Sequence, residues 1–307
     1  MTTLLQFIVA GIALGAVYAL LALGFVLVFK ATGVVNFAHP GLLVVGGYVT
    51  ARCAAADGGL PIAGPVARFT LALLAGVGAA ALLALLVQRG LVHQMAARSV
   101  IAVSILTIGV DLVLQTEIGR RFGAAEALSM GDPWGGRTWH AFGLAVPVTR
   151  VAALVVSLAL IGAFFAWFRY SVWGVAMRAV AEDAGTAALM GVRRTRVAAT
   201  AWVLAGALAA IAGLFLSVAP YPGLTPTTAY VALAAFPAAI IGGLDSTGGA
   251  VVGGLLVGLA ESLTQGYAAE LSFLGQGFHA VMPYVVMVVV LLVRPAGLFG
   301  TKELHRV

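Results

Sequence analysis

Charge is what this sequence has least of. Only 9% of its 307 residues are Asp, Glu, Lys or Arg, against about a quarter in a soluble domain. That is too little to cover a water-facing surface. Acids are scarcer than bases, 11 against 17, and no charge at all precedes Lys30. The basic excess, net +6, does not point to nucleic acid, because no basic patch is interleaved with aromatics. A single cysteine, Cys53, excludes an internal disulfide and a Cys-based metal site, and five scattered histidines give no ligand spacing. No Ser-His-Asp set, His-Glu-x-x-His motif or carboxylate pair supports an enzyme. Residues 1–29 lack the basic start and the cleavage site of a secretory leader, and the apolar run is too long for one. They are expected to be a retained spanning helix. No Ser-rich or low-complexity linker divides the chain, so residues 1–307 read as one domain.

What is present is apolar: 62% of residues are hydrophobic, with a mean hydropathy of +1.08. A spanning helix needs about 20 such residues in succession. Runs meeting or approaching that length fall at about 4–29, 34–56, 66–88, 100–118, 149–168, 198–219, 229–242, 249–266 and 280–293. They are continuous rather than alternating, which excludes a transmembrane β-barrel. The expected fold is all-α, a polytopic bundle crossing the bilayer about eight to nine times. The segments at 229–242 and 280–293 are short for a full crossing. With the N-terminus outside and nine crossings, the inner side holds 11 of the 17 Lys and Arg residues, including Lys30, Arg98, Arg178, Arg193, Arg194, Arg196, Lys302 and Arg306. The positive-inside rule therefore places the C-terminus in the cytoplasm.

Two polar loops interrupt the pattern. The outer one, 119–148, carries Arg120, Arg121 and Arg137, partly balanced by Glu126 and Asp132. Its Trp134 and Trp139 suit a surface at interface level. The inner one, 169–197, holds a stretch of good helix formers over 176–190, with Val180, Ala184, Ala187, Ala188 and Met190 on one side. Glu182 and Asp183 lie near the start of that helix, where negative charge suits the dipole. Gly191 is placed to end it. The physics of this loop alone allows a solvated connector or a docking helix for a soluble partner.

Polar residues inside spans face the bundle interior or a water path. Thr107, Asp111 and Gln115 recur at i, i+4, i+8 on one helix face, as interhelical glue or as a pathway. Glu261 and Gln265 form a second such pair, with Glu261 either buried or hydrated toward the outer third of its segment. Asn36 and His39 lie beside Gly33, Pro40 and Gly41, and Asp245 follows Gly242-Gly243. Such breaks at membrane depth line a cavity or are buried in protein, and a half-helix N-terminus there can meet a ligand carboxylate. His39 taken alone reads as a structural, hydrogen-bonded histidine. Gly11-x-x-x-Gly15, Gly249-x-x-x-Gly253 and Gly254-x-x-x-Gly258 permit close helix contact, within the chain or with a second subunit.

Four blocks, in order along the chain, resemble the permeases of branched-chain amino acid ABC importers. They are Gly15-Ala-Val-Tyr-Ala-Leu-Leu-Ala-Leu-Gly24 with Asn36-Phe-Ala-His39; Arg178 to Gly191; Phe236 to Gly249; and Arg294-Pro-Ala-Gly-Leu-Phe299. The first block is closer to the Liv-type "H" permease than to its "M" partner. One departure stands out: the family has Gly and then an acid after Asn-Phe-Ala-His, where this chain has Pro40-Gly41-Leu42. The resemblance implies an importer subunit of a bacterial inner membrane that moves branched-chain or related amino acids. Urea or short-chain amides are the alternative cargo, and an ion-coupled secondary transporter is the rival mechanism. It also implies two cytoplasmic ATPases, a second permease of the same or different sequence, and an extracytoplasmic binding protein. The 169–197 loop would couple to the ATPases through Arg178, Glu182, Asp183, Ala184, Ala187, Leu189, Met190 and Gly191. The substrate path would run past Asn36, His39, Thr107, Asp111, Gln115, Asp245 and Glu261. The chain has no Gly-x-x-x-x-Gly-Lys-Ser/Thr loop, so no cofactor is expected on it and ATP would be bound by the partners.

Overall fold

The computed structural model describes residues 2–55, 64–95, 98–122, 127–128, 136–141, 144–217, 223–225, 228–275 and 277–301. Glu126, Asp132, Trp134, Lys302 and Arg306 lie outside the described residues.

The chain is helical almost throughout. Its helices in order are α1 (Thr2–Thr32), α2 (His39–Ala54), α3 (Pro65–Val87), α4 (Val100–Phe122), α5 (Val148–Tyr170), α6 (Val172–Glu182), α7 (Ala184–Leu189), α8 (Arg194–Leu216), α9 (Thr228–Leu233), α10 (Ala235–Gly242), α11 (Thr247–Gly266) and α12 (Phe278–Val293). Six of these, α1, α3, α4, α5, α8 and α11, are long and apolar enough to cross a membrane. The other apolar segments form α2, the broken pair α9–α10, and α12, which are shorter. Before α5, β1 (Thr138–Ala141) and β2 (Leu144–Pro147) form an antiparallel hairpin, with Trp139 opposite Val146.

α1 is the hub. It is apolar on every face, which a helix can be only if protein surrounds it, and Ala16 to Val28 is buried throughout. α11 runs antiparallel against it. A Cβ on Gly11 or Gly15 would meet the backbone of Leu259 or Leu255, and one on Gly254 would meet Ala19. The Gly-x-x-x-Gly spacings of α1 and of Gly254–Gly258 therefore serve contact within the chain. Gly249 and Gly253 face α10, at Gly242 and Ala238. α8 and α5 also pack on α1, and α2, α3 and α8 pack on one another. The outer sides of α3, α4, α5 and α12 expose Leu74, Leu82, Ile101, Ile105, Val113, Val155, Val289 and Leu292, as helices facing lipid do.

One end of the bundle is defined by Lys30, whose Nζ donates to the Asp245 carbonyl at 2.7 Å. The tail after α12 folds back at the same end, where the Leu298 amide donates to the Ile241 carbonyl at 2.8 Å. α6 rests on α1 there as well. At the opposite end, Arg150 and Thr149 of α5 share a cavity with Ala10 of α1 and Gln265 of α11.

The inner-loop helix differs from its expectation. Instead of one helix over 176–190, the structure has two, and Asp183 separates them. Its backbone is extended at φ −150°, and its side chain caps α7. Glu182 and Asp183 consequently stand at the end of the first helix, not near the start of a single one. Sequence periodicity counted through Asp183 as a helical residue, whereas Asp satisfies two backbone amides better as a cap than in a helix interior.

Candidate functional site

Two places gather the polar and functional residues: a buried break between α1 and α2, and the α6–α7 surface at the Lys30 end.

After Thr32 the chain turns at Gly33, whose φ of +70° suits glycine, and climbs back into the bundle. Pro40 then opens α2 in its first turn, where its missing N–H costs nothing. The His39 ring lands beside Gly24, where a Cβ would press on Cε1 at 2.5 Å. Gly24 lies eight residues from the end of α1, so α2 begins about 12 Å into the bundle. His39 and Asn36 are both buried. Phe25 packs on the His39 ring at 4.6 Å between centroids, and Phe236 of α10 contacts both Phe25 and Phe37 at 5.6 and 5.4 Å.

The free amides of this break are met from within the protein. Asn36 Oδ1 accepts from the Ala38 amide at 3.0 Å, an Asx turn. Thr107 Oγ1 of α4 accepts from the Phe37 amide at 3.1 Å. Asp111 Oδ1, one turn further along α4, accepts from the Gly41 amide at 2.7 Å, and Asp111 Oδ2 accepts from Gln115 Nε2. The i, i+4, i+8 face of α4 is thus the wall that holds the start of α2. In this conformation a ligand carboxylate would find these three amides already occupied.

The other two polar residues expected on the path lie elsewhere. Asp245 sits at the Lys30 end, where its side chain accepts from the Thr301 amide at 2.8 Å and from the Thr301 hydroxyl. Glu261 lies toward the opposite end. It is buried, 4% exposed, rather than hydrated, and accepts from the Tyr18 hydroxyl at 2.8 Å. Asn36, His39, Thr107, Asp111 and Gln115 come together; Asp245 and Glu261 do not join them. Sequence reasoning missed Tyr18, Gly24 and Lys30 as functional partners. The signal for Tyr18 was a lone phenol within an apolar run, which needs a buried partner.

The α6–α7 pair is held by short-range chemistry. Ser171 caps α6 by accepting from the Gly174 amide at 3.0 Å. Arg178 Nη1 donates to the Phe168 carbonyl at 2.8 Å, and its guanidinium lies 5.3 Å from the Phe168 ring centre. Asp183 Oδ1 accepts from the amides of Thr186 and Gly185 at 2.9 and 2.7 Å. These bonds, that from Thr186 foremost, hold the Asp183 carboxyl below the usual carboxylate range. Gly191, at φ +85°, ends the pair. Met177, Val180 and Ala187 face the bundle and are buried, and Ala184 is half-buried. The far side mixes exposed polar residues, such as Arg178 and Asp183, with large apolar ones: Val172 is 88%, Leu189 89% and Met190 81% exposed. Glu182 is exposed as well.

Lipid-length helices around a buried hub, with broken helices inside and an amphipathic pair at one end, define a multi-pass helical membrane protein. Residues 7–292 match the family described as "Branched-chain amino acid transport system / permease component", and the chain belongs to that family. It is 31% identical over 311 residues to the "High-affinity branched-chain amino acid transport system permease protein LivH" of Salmonella typhimurium (strain LT2), covering 99% of this chain and 97% of that one. The protein of the same name in Escherichia coli (strain K12) is 30% identical over 312 residues, with 99% and 97% covered. The "Probable branched-chain amino acid transport permease protein LivH" of Methanocaldococcus jannaschii is 29% identical over 294 residues, covering 94% and 90%. No solved structure matches the chain.

Proposed function

We propose that this permease is the membrane subunit of an ATP-driven importer of branched-chain amino acids, and that α6–α7 is where ATPase motion enters the bundle. The observation that carries the reading is the exposure of the large apolar side chains Val172, Leu189 and Met190 on a helix pair in which each helix is capped by a side chain. Apolar side chains this exposed outside the spans fit the groove of a protein partner. The Lys30 end carries nine described Lys and Arg residues against six at the Arg150 end. That bias supports a cytoplasmic Lys30 end and an outside N-terminus, and the bacterial relatives support an inner-membrane location. Two ATPases would dock there, a second permease would complete the channel, and a binding protein would deliver cargo to the Arg150 end. Branched-chain cargo is supported by the names of the relatives. Force on α6 would pass to α5 through the Arg178–Phe168 contact and to α1 by packing. α1 in turn supports the buried start of α2.

The test is uptake of labelled leucine by proteoliposomes holding the complete complex. The expected result is ATP-dependent uptake that Leu189→Glu with Met190→Glu abolishes while the chain still inserts. Uptake driven by a proton gradient without ATP would refute the reading, and urea competing better than leucine would refute the cargo.

A further inference from the structure

At the Lys30 end a cavity of about 320 Å³ opens between the turn after α1, the end of α3, the start of α4 and the start of α8. Its inner wall is apolar, formed by residues such as Val34, Val92 and Val103. Its mouth carries Arg98, Arg194 and His93, and among the described residues no acidic side chain lines it. Gln88, 3% exposed, also lines it, and its carbonyl oxygen accepts no hydrogen bond from the described residues. A π-helical turn over Gln88–Val92 widens the end of α3 at this point. Val100 at the rim and Ile101 beside it are 55% and 72% exposed.

We infer that this cavity is a binding site for an anionic glycerophospholipid of the leaflet at the Lys30 end. A basic, acid-free mouth over an apolar interior between helices fits a phosphodiester headgroup with an acyl chain behind it. Arg98 and Arg194 take the phosphate and Val100 and Ile101 border the chain. Phosphatidylglycerol, anionic at its phosphodiester and carrying no compensating ammonium, matches the basic mouth better than zwitterionic phosphatidylethanolamine. Free phosphate would satisfy the arginines but leave the apolar wall uncovered. Placing this leaflet in the cytoplasm rests on the proposed orientation; the site itself does not.

The experiment is native mass spectrometry of the full chain, with the subunits it co-purifies with, titrated in neutral detergent with phosphatidylglycerol, phosphatidylethanolamine or inorganic phosphate. Phosphatidylglycerol is expected to bind preferentially, and Arg98→Gln with Arg194→Gln to weaken it by about thirtyfold, two surface charges' worth. Arg52→Gln with Arg68→Gln, at the opposite end, is expected to leave binding unchanged and shows whether substitution alone disturbs the bundle. Equal binding of phosphatidylethanolamine, displacement by inorganic phosphate, or equal loss in both double variants would overturn the site. The readout needs neither ATP nor cargo, so its failure is distinct from failure of the transport reading.

Discussion

Asp111 should behave as a helix cap placed inside the membrane. Replacing it by Leu leaves the Gly41 amide, now 2.7 Å from Oδ1, without an acceptor among buried groups. An orphaned buried donor costs about 1–3 kcal/mol. Loss of the Gln115 contact adds about 1 kcal/mol, so Asp111→Leu should destabilise the bundle by about 2–4 kcal/mol. Asp111→Asn keeps an oxygen for the Gly41 amide, and a flipped Gln115 amide accepts from the new NH2 group, so the loss is the charge at a helix N-terminus, about 1 kcal/mol or less. The assay is equilibrium unfolding in micelles titrated with dodecyl sulfate, followed by circular dichroism. Leucine uptake by the complex should track stability for both variants. Equal losses for Leu and Asn would show that the charge itself matters and would refute the capping account. An unchanged midpoint for Leu would refute it outright.

Gly254→Leu should separate α1 from α11, because a Cβ there reaches Ala19 Cα at 2.5 Å and neither backbone can yield. A loss of about 1–3 kcal/mol from overpacking is expected in the same unfolding assay, and a neutral result would mean the contact is loose. Asp183 holds α7 through two amides that favour its ionised form. Its folded pKa is depressed, so its contribution is present above the ordinary carboxylate pKa and fades as pH falls through the lowered value. Protection of the Gly185 and Thr186 amides, measured relative to their intrinsic exchange rates, should therefore drop as pH falls through the lowered value. In Asp183→Asn it should show no such pH step; a step of equal size there would assign the effect to another group.

The spans were legible because continuous apolar runs of bilayer length have few alternative fates. The breaks at Gly33–Pro40 and at Gly242–Gly243 were legible as interruptions of those runs. The depth of His39 was not, since it depends on Gly24, eight residues before the end of α1, leaving room for a ring. Periodicity put Thr107, Asp111 and Gln115 on one face, but only packing showed that this face grips the backbone of 37–41. Asp245 read as an intramembrane polar group because its neighbours are apolar. In space it ties the C-terminal tail to the loop before α11. The α6–α7 split escaped notice because an Asp within good helix formers is a weak signal until its side chain is seen turning onto Gly185 and Thr186.

Site-directed cross-linking tests the central claim most directly. In a Cys53→Ser background, which removes the one native thiol, Leu189→Cys should be joined to the ATPase subunit by a short thiol reagent, with a yield that changes on adding ATP. Tyr230→Cys, exposed on α9 near the opposite end, should give no such product. Coupling to the ATPase from Tyr230 but not from Leu189 would contradict the account.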